Sequence, residues 1–293
     1  MLRTVADVVE RHRSSGRDFE ADGVRSFVLD RGDGPPVVCL HGVPASSFLF
    51  RKLVPEFAGR GLRGVAFDFP GLGLADRPVG FNYSWSGLAE WTGHAVDALG
   101  IDRCHLVVHD IGGPIGFEWA ITHPERVLSL TVLNSPVDVA VFRRPWSMQP
   151  FAIPTVGEAW LAGLRPPGSR WLFRHVGLAD QTAMDSSEID AYFALLKRED
   201  GGRAFLRIMR GFELTEAKQA FFYKGLRSRP YPAQVVWGQY DPALGENRRR
   251  AVQDALGVES ATQLRARHFL PEEQSPAIAA AVVRLAGQQA TPH

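Results

Sequence analysis

The segment LVVHDIGG sets an aspartate, Asp110, between an apolar run at residues 106–108 and the glycine pair Gly112 and Gly113. This spacing predicts a buried strand that turns sharply into a helix, the glycines relieving the crowding where the two meet. A carboxylate held out on such a turn faces helix-start amides, which favour negative charge. It is placed to act as a nucleophile that attacks carbon and forms a covalent ester. Taken alone, the same residue reads as the N-cap of an apolar helix.

Using a carboxylate nucleophile repeatedly takes two further groups. A base must activate water to release the ester, and an acid must orient that base. Asp241 and His268 fit these roles. Asp241 follows an apolar strand at residues 235–238, and His268 follows a short strand at residues 261–266, ahead of a terminal helix near residues 276–285. Each also has a plain reading, Asp241 as a turn residue before Pro242 and His268 as a loop or capping histidine. Their joint placement at strand ends, where open α/β sheets bind ligands, favours the catalytic reading.

These three residues need a sheet to bring them together, and the chain reads as one. Short apolar strands at 26–30, 37–40, 63–69, 106–108 and 127–133 alternate with helical stretches at 47–58, 85–99 and 116–122. This rhythm predicts an α/β fold with a mostly parallel sheet covered on both faces. It stops near Pro136 and resumes at Gln234. The stretch between is rich in aromatics and reads as a mainly helical lid, giving a core over residues 1–139, a lid over 140–226 and a second part of the core over 227–293. Asp185 to Glu188 reads as the N-terminal cap of a lid helix running to Leu196. A minority of the lid aromatics should line an apolar pocket above the sheet. Residues 288–293 read as a loose tail.

Composition narrows the partners. The chain has 293 residues, with 33 basic and 32 acidic side chains, a balance that argues against a nucleic-acid partner. The Arg248 to Arg250 run reads as a solvated helix surface. Two cysteines, Cys39 and Cys104, make neither a disulfide scaffold nor a metal motif. With no signal-like N-terminus and no membrane-length apolar run, the expectation is a cytoplasmic protein without a membrane partner. No metal or other cofactor is expected, and the sequence does not set the oligomeric state.

The blocks HGVPASSFLFRKLVP at 41–55, DFPGLGLADRP at 68–78, VHDIGG at 108–113, WGQYDPAL at 237–244 and HFLPEEQSP at 268–276 resemble those of the Asp-nucleophile branch of the α/β-hydrolase superfamily. That branch contains epoxide hydrolases and haloalkane dehalogenases. The resemblance spans nearly the whole core but not the lid, and the order nucleophile, acid, histidine is the family's. It implies an α/β-hydrolase fold, a covalent alkyl-enzyme ester on Asp110, and oxyanion stabilisation by the backbone amides of Val43 and Ile111. His41 is expected to shape its loop, and His109 to border the pocket or to pack behind it. The implied partners are water and a small apolar organic substrate.

The resemblance leaves the leaving group open. Dehalogenases of the family generally hold the halide with a tryptophan after the nucleophile and a polar partner after HG, where this chain has Ile111 and Val43. Trp146, Trp160 or Trp171 could compensate from the lid. Epoxide hydrolases use lid tyrosines, for which Tyr192 is the first candidate and Tyr223 the second. The expectation is an epoxide or related strained electrophile, with haloalkane dehalogenation as the alternative. A lid-gated small-molecule binding protein, or a diverged hydrolase on the same scaffold, is a third reading.

Overall fold

A computed structural model describes residues 3–288, so the expected tail lies almost wholly outside the described residues. The chain opens with helix α1 (Val5–Ser14) and strands β1 (Arg17–Ala21) and β2 (Val24–Arg31). Strands β3 (Pro36–Leu40) and β4 (Arg63–Phe67) flank helix α2 (Leu53–Ala58). Helix α3 (Trp85–Ala98), strand β5 (Cys104–His109), helix α4 (Gly112–Thr122) and strand β6 (Val127–Leu133) complete the first part of the core.

The chain then leaves the sheet for helices α5 (Val156–Gly163), α6 (Gly168–Leu172), α7 (Ser186–Lys197), α8 (Arg203–Arg210) and α9 (Glu216–Arg227). It returns through β7 (Ala233–Gly238), α10 (Glu246–Leu256), β8 (Thr262–Leu264), α11 (Leu270–Glu273) and α12 (Ser275–Gly287). The eight strands lie in the order β1-β2-β4-β3-β5-β6-β7-β8. From β4 to β8 every pair is parallel, whereas β1 with β2 and β2 with β4 are antiparallel. The architecture is the mostly parallel sheet with an inserted helical lid that the sequence predicts.

The central strands are apolar because helices cover both faces of the sheet. All six residues of β5 are buried, as are four of five in β3. Cys39 and Cys104 are buried free thiols within these strands. The antiparallel start follows from a two-residue turn. Asp22 and Gly23 both have positive φ, 48° and 69°, the Asp-Gly hairpin geometry that matches strand twist.

The helix expected at residues 47–58 is divided, with a 3-10 turn at Ser47–Phe50 followed by α2. Pro55 has no N–H to give to a preceding turn, so it sits in the first turn of its own helix rather than mid-helix. In the lid, Asp185 caps α7 as predicted. Its carboxylate accepts from the Glu188 amide at 2.8 Å, and Glu188 accepts in return from the Asp185 amide at 3.0 Å. Helix α7 packs on α1, while α9 packs on the core helices α4 and α10.

Candidate active site

Asp110 follows the last residue of β5 and precedes α4 with φ 55°, a left-handed conformation that costs a non-glycine residue strain. Its amide donates to the Asn134 carbonyl at 3.1 Å, and its carbonyl accepts from Gly113 at 2.9 Å. The elbow is tight because its neighbours lack side chains. A Cβ on Gly112 would strike the Leu40 and His41 carbonyls, and one on Gly42 would fall inside the Asp110 carboxylate. Oδ1 of that carboxylate accepts from the Val43 amide at 2.9 Å, and the Ile111 amide also donates to the carboxylate. Both expected oxyanion amides therefore converge on Asp110.

His268 meets Asp110 from the far end of the chain. Its Nε2 lies 3.6 Å from Asp110 Oδ2, and the two side chains are only 12% and 16% exposed. Its Nδ1 lies 2.8 Å from Asp241 Oδ2. Asp241 is fully engaged: Oδ1 accepts from the amides of Ala243 and Leu244, and Oδ2 accepts from both His268 and the Asn134 side-chain amide at 2.8 Å. Asn134 also accepts from the Gly238 amide at 2.7 Å, tying the end of β6 to the end of β7. The sequence reading missed Asn134. Its signal was an asparagine directly after a buried strand, beside the strand that leads into Asp110.

Charge follows from this geometry. Burial opposes ionisation of Asp241, but His268 and the amide donors hold it below the usual carboxylate range. Burial alone would lower the His268 pKa, yet the Asp241 and Asp110 carboxylates push it up to about 9. Burial is also the main influence on Asp110 and raises it, against the lowering effect of His268 and the two amides. Asp241 and His268 thus form an ion pair, with the Asp110 carboxyl group on the other side of the ring.

Two other histidines support the site without facing it. Nε2 of His41 accepts from the Phe69 amide at 3.1 Å, so Nδ1 carries the proton and donates to the Gly42 carbonyl at 2.9 Å. Burial pulls its pKa down to about 4, consistent with a neutral ring that shapes the loop. His109 is no pocket residue. Burial keeps it neutral, at about 3, and its Nε2 donates to the His268 carbonyl at 2.8 Å. It braces the backbone of the histidine from behind.

Above these residues lies a cavity of about 1010 Å³, its open mouth included. Asp110, His268, Val43 and Ile111 form part of its lining, and the lid contributes Phe142, Phe151, Phe173, Phe193, Phe205 and Phe212. The polar side chains of the lining, apart from Asp110 and His268, are Arg144 and Ser147.

None of the five lid residues proposed for substrate contact lines this cavity. The hydroxyl of Tyr192 donates to Glu272 Oε1 at 2.6 Å, and its ring packs between Phe48 and Phe173. Glu272 is a buried carboxylate held by Arg51 and Lys52, and the tyrosine hydroxyl completes that cluster. Tyr223 is half-buried against the core. Trp146 and Trp171 are exposed on the outside of the lid. Trp160 is also exposed and donates from its indole to the Ser147 carbonyl at 3.1 Å. The break in the strand–helix rhythm placed these aromatics on the lid but could not say which of them look inward.

Among the described residues no group of three or more His, Cys, Asp or Glu side chains is gathered to hold a metal ion, and no helix is long and apolar enough to cross a membrane. The family described as alpha/beta hydrolase fold matches residues 35–263. The chain belongs to the alpha/beta hydrolase family. This hydrolase is 27% identical to a haloalkane dehalogenase of Mycobacterium marinum, over 89% of this chain and 88% of that one. It is also 27% identical to an uncharacterised hydrolase of Saccharomyces cerevisiae, over 75% and 79% of the two chains. An epoxide hydrolase mutant of Vigna radiata shares its fold with a TM-score of 0.75 at 20% identity, covering 93% of this hydrolase and 98% of that chain. The family makes it a catalytic hydrolase, similar over most of its length to a haloalkane dehalogenase and sharing its fold with an epoxide hydrolase, which sets aside the reading as a binding protein.

Proposed function

We propose that this hydrolase displaces halide from small alkyl halides with an apolar body through a covalent ester on Asp110. The observation that carries the reading is the carboxylate on a positive-φ elbow, one oxygen held by the Val43 amide and the other facing His268 Nε2 at 3.6 Å. Oδ2 attacks the carbon bearing the halogen, the carbon–halogen bond breaks, and its electron pair leaves with the halide.

Forming the ester neutralises Asp110 and removes one of the charges that keep His268 protonated. The imidazolium then releases its proton to solvent, and the neutral ring acts as a base that takes a proton from water. The resulting hydroxide attacks the ester carbonyl carbon, with the Val43 and Ile111 amides receiving the oxyanion. Collapse of the tetrahedral intermediate expels the alkoxide, which takes its proton from His268 and leaves as the alcohol. The new carboxylic acid on Asp110 passes its proton to His268, which restores the resting imidazolium. Asp241 and Asn134 hold the ring in the orientation this requires.

The leaving group separates halide from epoxide. Bromide and chloride leave as stable anions, whereas an opening epoxide becomes an alkoxide that calls for a proton donor. The tyrosine expected to supply that proton is committed to Glu272, and the lid tryptophans expected to hold a halide also lie outside the cavity, so these contacts favour a leaving group that needs no proton donor. The likeness to the Mycobacterium marinum enzyme supports the same choice. The test is halide release from bromoalkanes, run beside diol formation from alkyl epoxides, with one turnover in ¹⁸O-water. The proposal predicts bromide release and an alcohol whose oxygen is unlabelled, because that oxygen comes from Asp110. Labelled alcohol in the first turnover would remove the ester, and diol without bromide would remove the halide.

A further inference from the structure

The cavity holds a cation that nothing in the proposed reaction uses. Arg144 stands in the lid between two 3-10 turns, Val139–Val141 and Gln149–Ala152, and lines the same cavity as Asp110. Its Nη2 donates to the Met209 carbonyl at 2.6 Å, and its guanidinium carbon lies 4.4 Å from the centre of the Phe212 ring. Its Nε is buried with no hydrogen-bond partner, and among the described residues no carboxylate lies within ion-pair distance. Asp110 and His268, by contrast, face each other. Arg144 is thus the charged group of the lining that lacks a counterion.

A guanidinium half-withdrawn from water against an apolar wall is costly unless an anion meets it, and its planar fork suits a carboxylate. Ser147, three residues on, lines the same cavity and adds a hydroxyl donor. The rest of the lining is apolar and suits a hydrocarbon body.

We propose that Arg144 binds a carboxylate carried by the substrate, so that the preferred substrates are alkyl halides with an apolar chain and a carboxylate remote from the halogen-bearing carbon. The halide part rests on the function proposed above; the anion site does not.

The experiment pairs bromohexane with ω-bromohexanoate in bromide-release assays on wild type, Arg144→Gln and Arg144→Lys, with circular dichroism to confirm folding. In parallel, calorimetry compares the unreactive ligands hexanoate and hexanamide. The wild-type preference in kcat/KM for the bromo-acid should shrink about 10- to 100-fold in Arg144→Gln, through KM, the size expected for lost charge-assisted hydrogen bonds. Arg144→Lys should retain part of it. Hexanoate should bind more tightly than hexanamide in wild type only.

An unchanged preference, or an equal fall in kcat for both substrates, overturns the anion site; the equal fall would instead mark Arg144 as a partner of the departing halide. A hexanoate preference lost in Arg144→Gln, with no bromide released from either compound, leaves the anion site standing and overturns the halide reading.

Discussion

Replacing Asp110 by Asn mimics the electrical consequence of ester formation, because it removes the same charge while keeping the shape of the side chain. Asp110 Oδ2 lies 3.6 Å from His268 Nε2. At that separation two unit charges interact by about 1 kcal/mol in a water-like dielectric and by about 5 kcal/mol at an effective dielectric near 20. Both groups are largely shielded from solvent, so the value should fall between these limits. At about 1.4 kcal/mol per pKa unit this is a drop of roughly one to three units from the wild-type value of about 9. His268 would then titrate at roughly 6 to 8, within reach of deprotonation at neutral pH. The assay is an NMR titration of ring-labelled histidines in wild type and Asp110→Asn, with His109 as the internal control that stays neutral throughout. A His268 shift below about 0.3 units would refute the idea that alkylating Asp110 turns the imidazolium into a base.

Three further outcomes follow from named contacts. Tyr192→Phe should cost about 1.5–3 kcal/mol in urea unfolding, the worth of a hydrogen bond to a charged group, and change kcat/KM by less than about threefold; a tenfold loss of kcat in that variant would return the tyrosine to the pocket. Gly42→Ala, whose new methyl group would displace the Asp110 carboxylate, should lower kcat/KM by about 100-fold or more in halide-release kinetics while the fold persists by circular dichroism. The His268 pKa is about 9 in the folded chain against about 6.5 unfolded, so its stabilisation is complete below pH 6.5 and lost as pH rises through 9. Urea midpoints should therefore fall by the equivalent of up to about 3 kcal/mol more in wild type than in His268→Gln between those limits, and equal falls would contradict the ion pairing.

The elbow was legible because a buried parallel strand, a sharp turn and a pair of crowded glycines all leave local marks in sequence, and the same holds for the capped helix α7. The partners of Asp110 were legible as strand-end residues, since the topology of a parallel sheet gathers such ends at one edge. Tyr192 was misplaced for a different reason. Its helix was found, but the residue that claims its hydroxyl, Glu272, lies in a distant segment and is itself held by Arg51 and Lys52. No local pattern encodes that cluster. Asn134 and Arg144 were passed over because a single polar residue after a strand, or within an aromatic-rich lid, has no periodicity to mark it. The Asp22-Gly23 hairpin did carry a local mark, and the reading did not use it.

The ester on Asp110 is the centre of the account, and trapping it tests the account most directly. In His268→Gln the base is gone but the nucleophile and its amides remain, so incubation with a bromoalkane should stop after the first step. Intact-mass and peptide spectra should show one alkyl group added per chain, located on Asp110, with about one bromide released per enzyme. Bromoalkane that binds but leaves no adduct, or an adduct on any other residue, would contradict it.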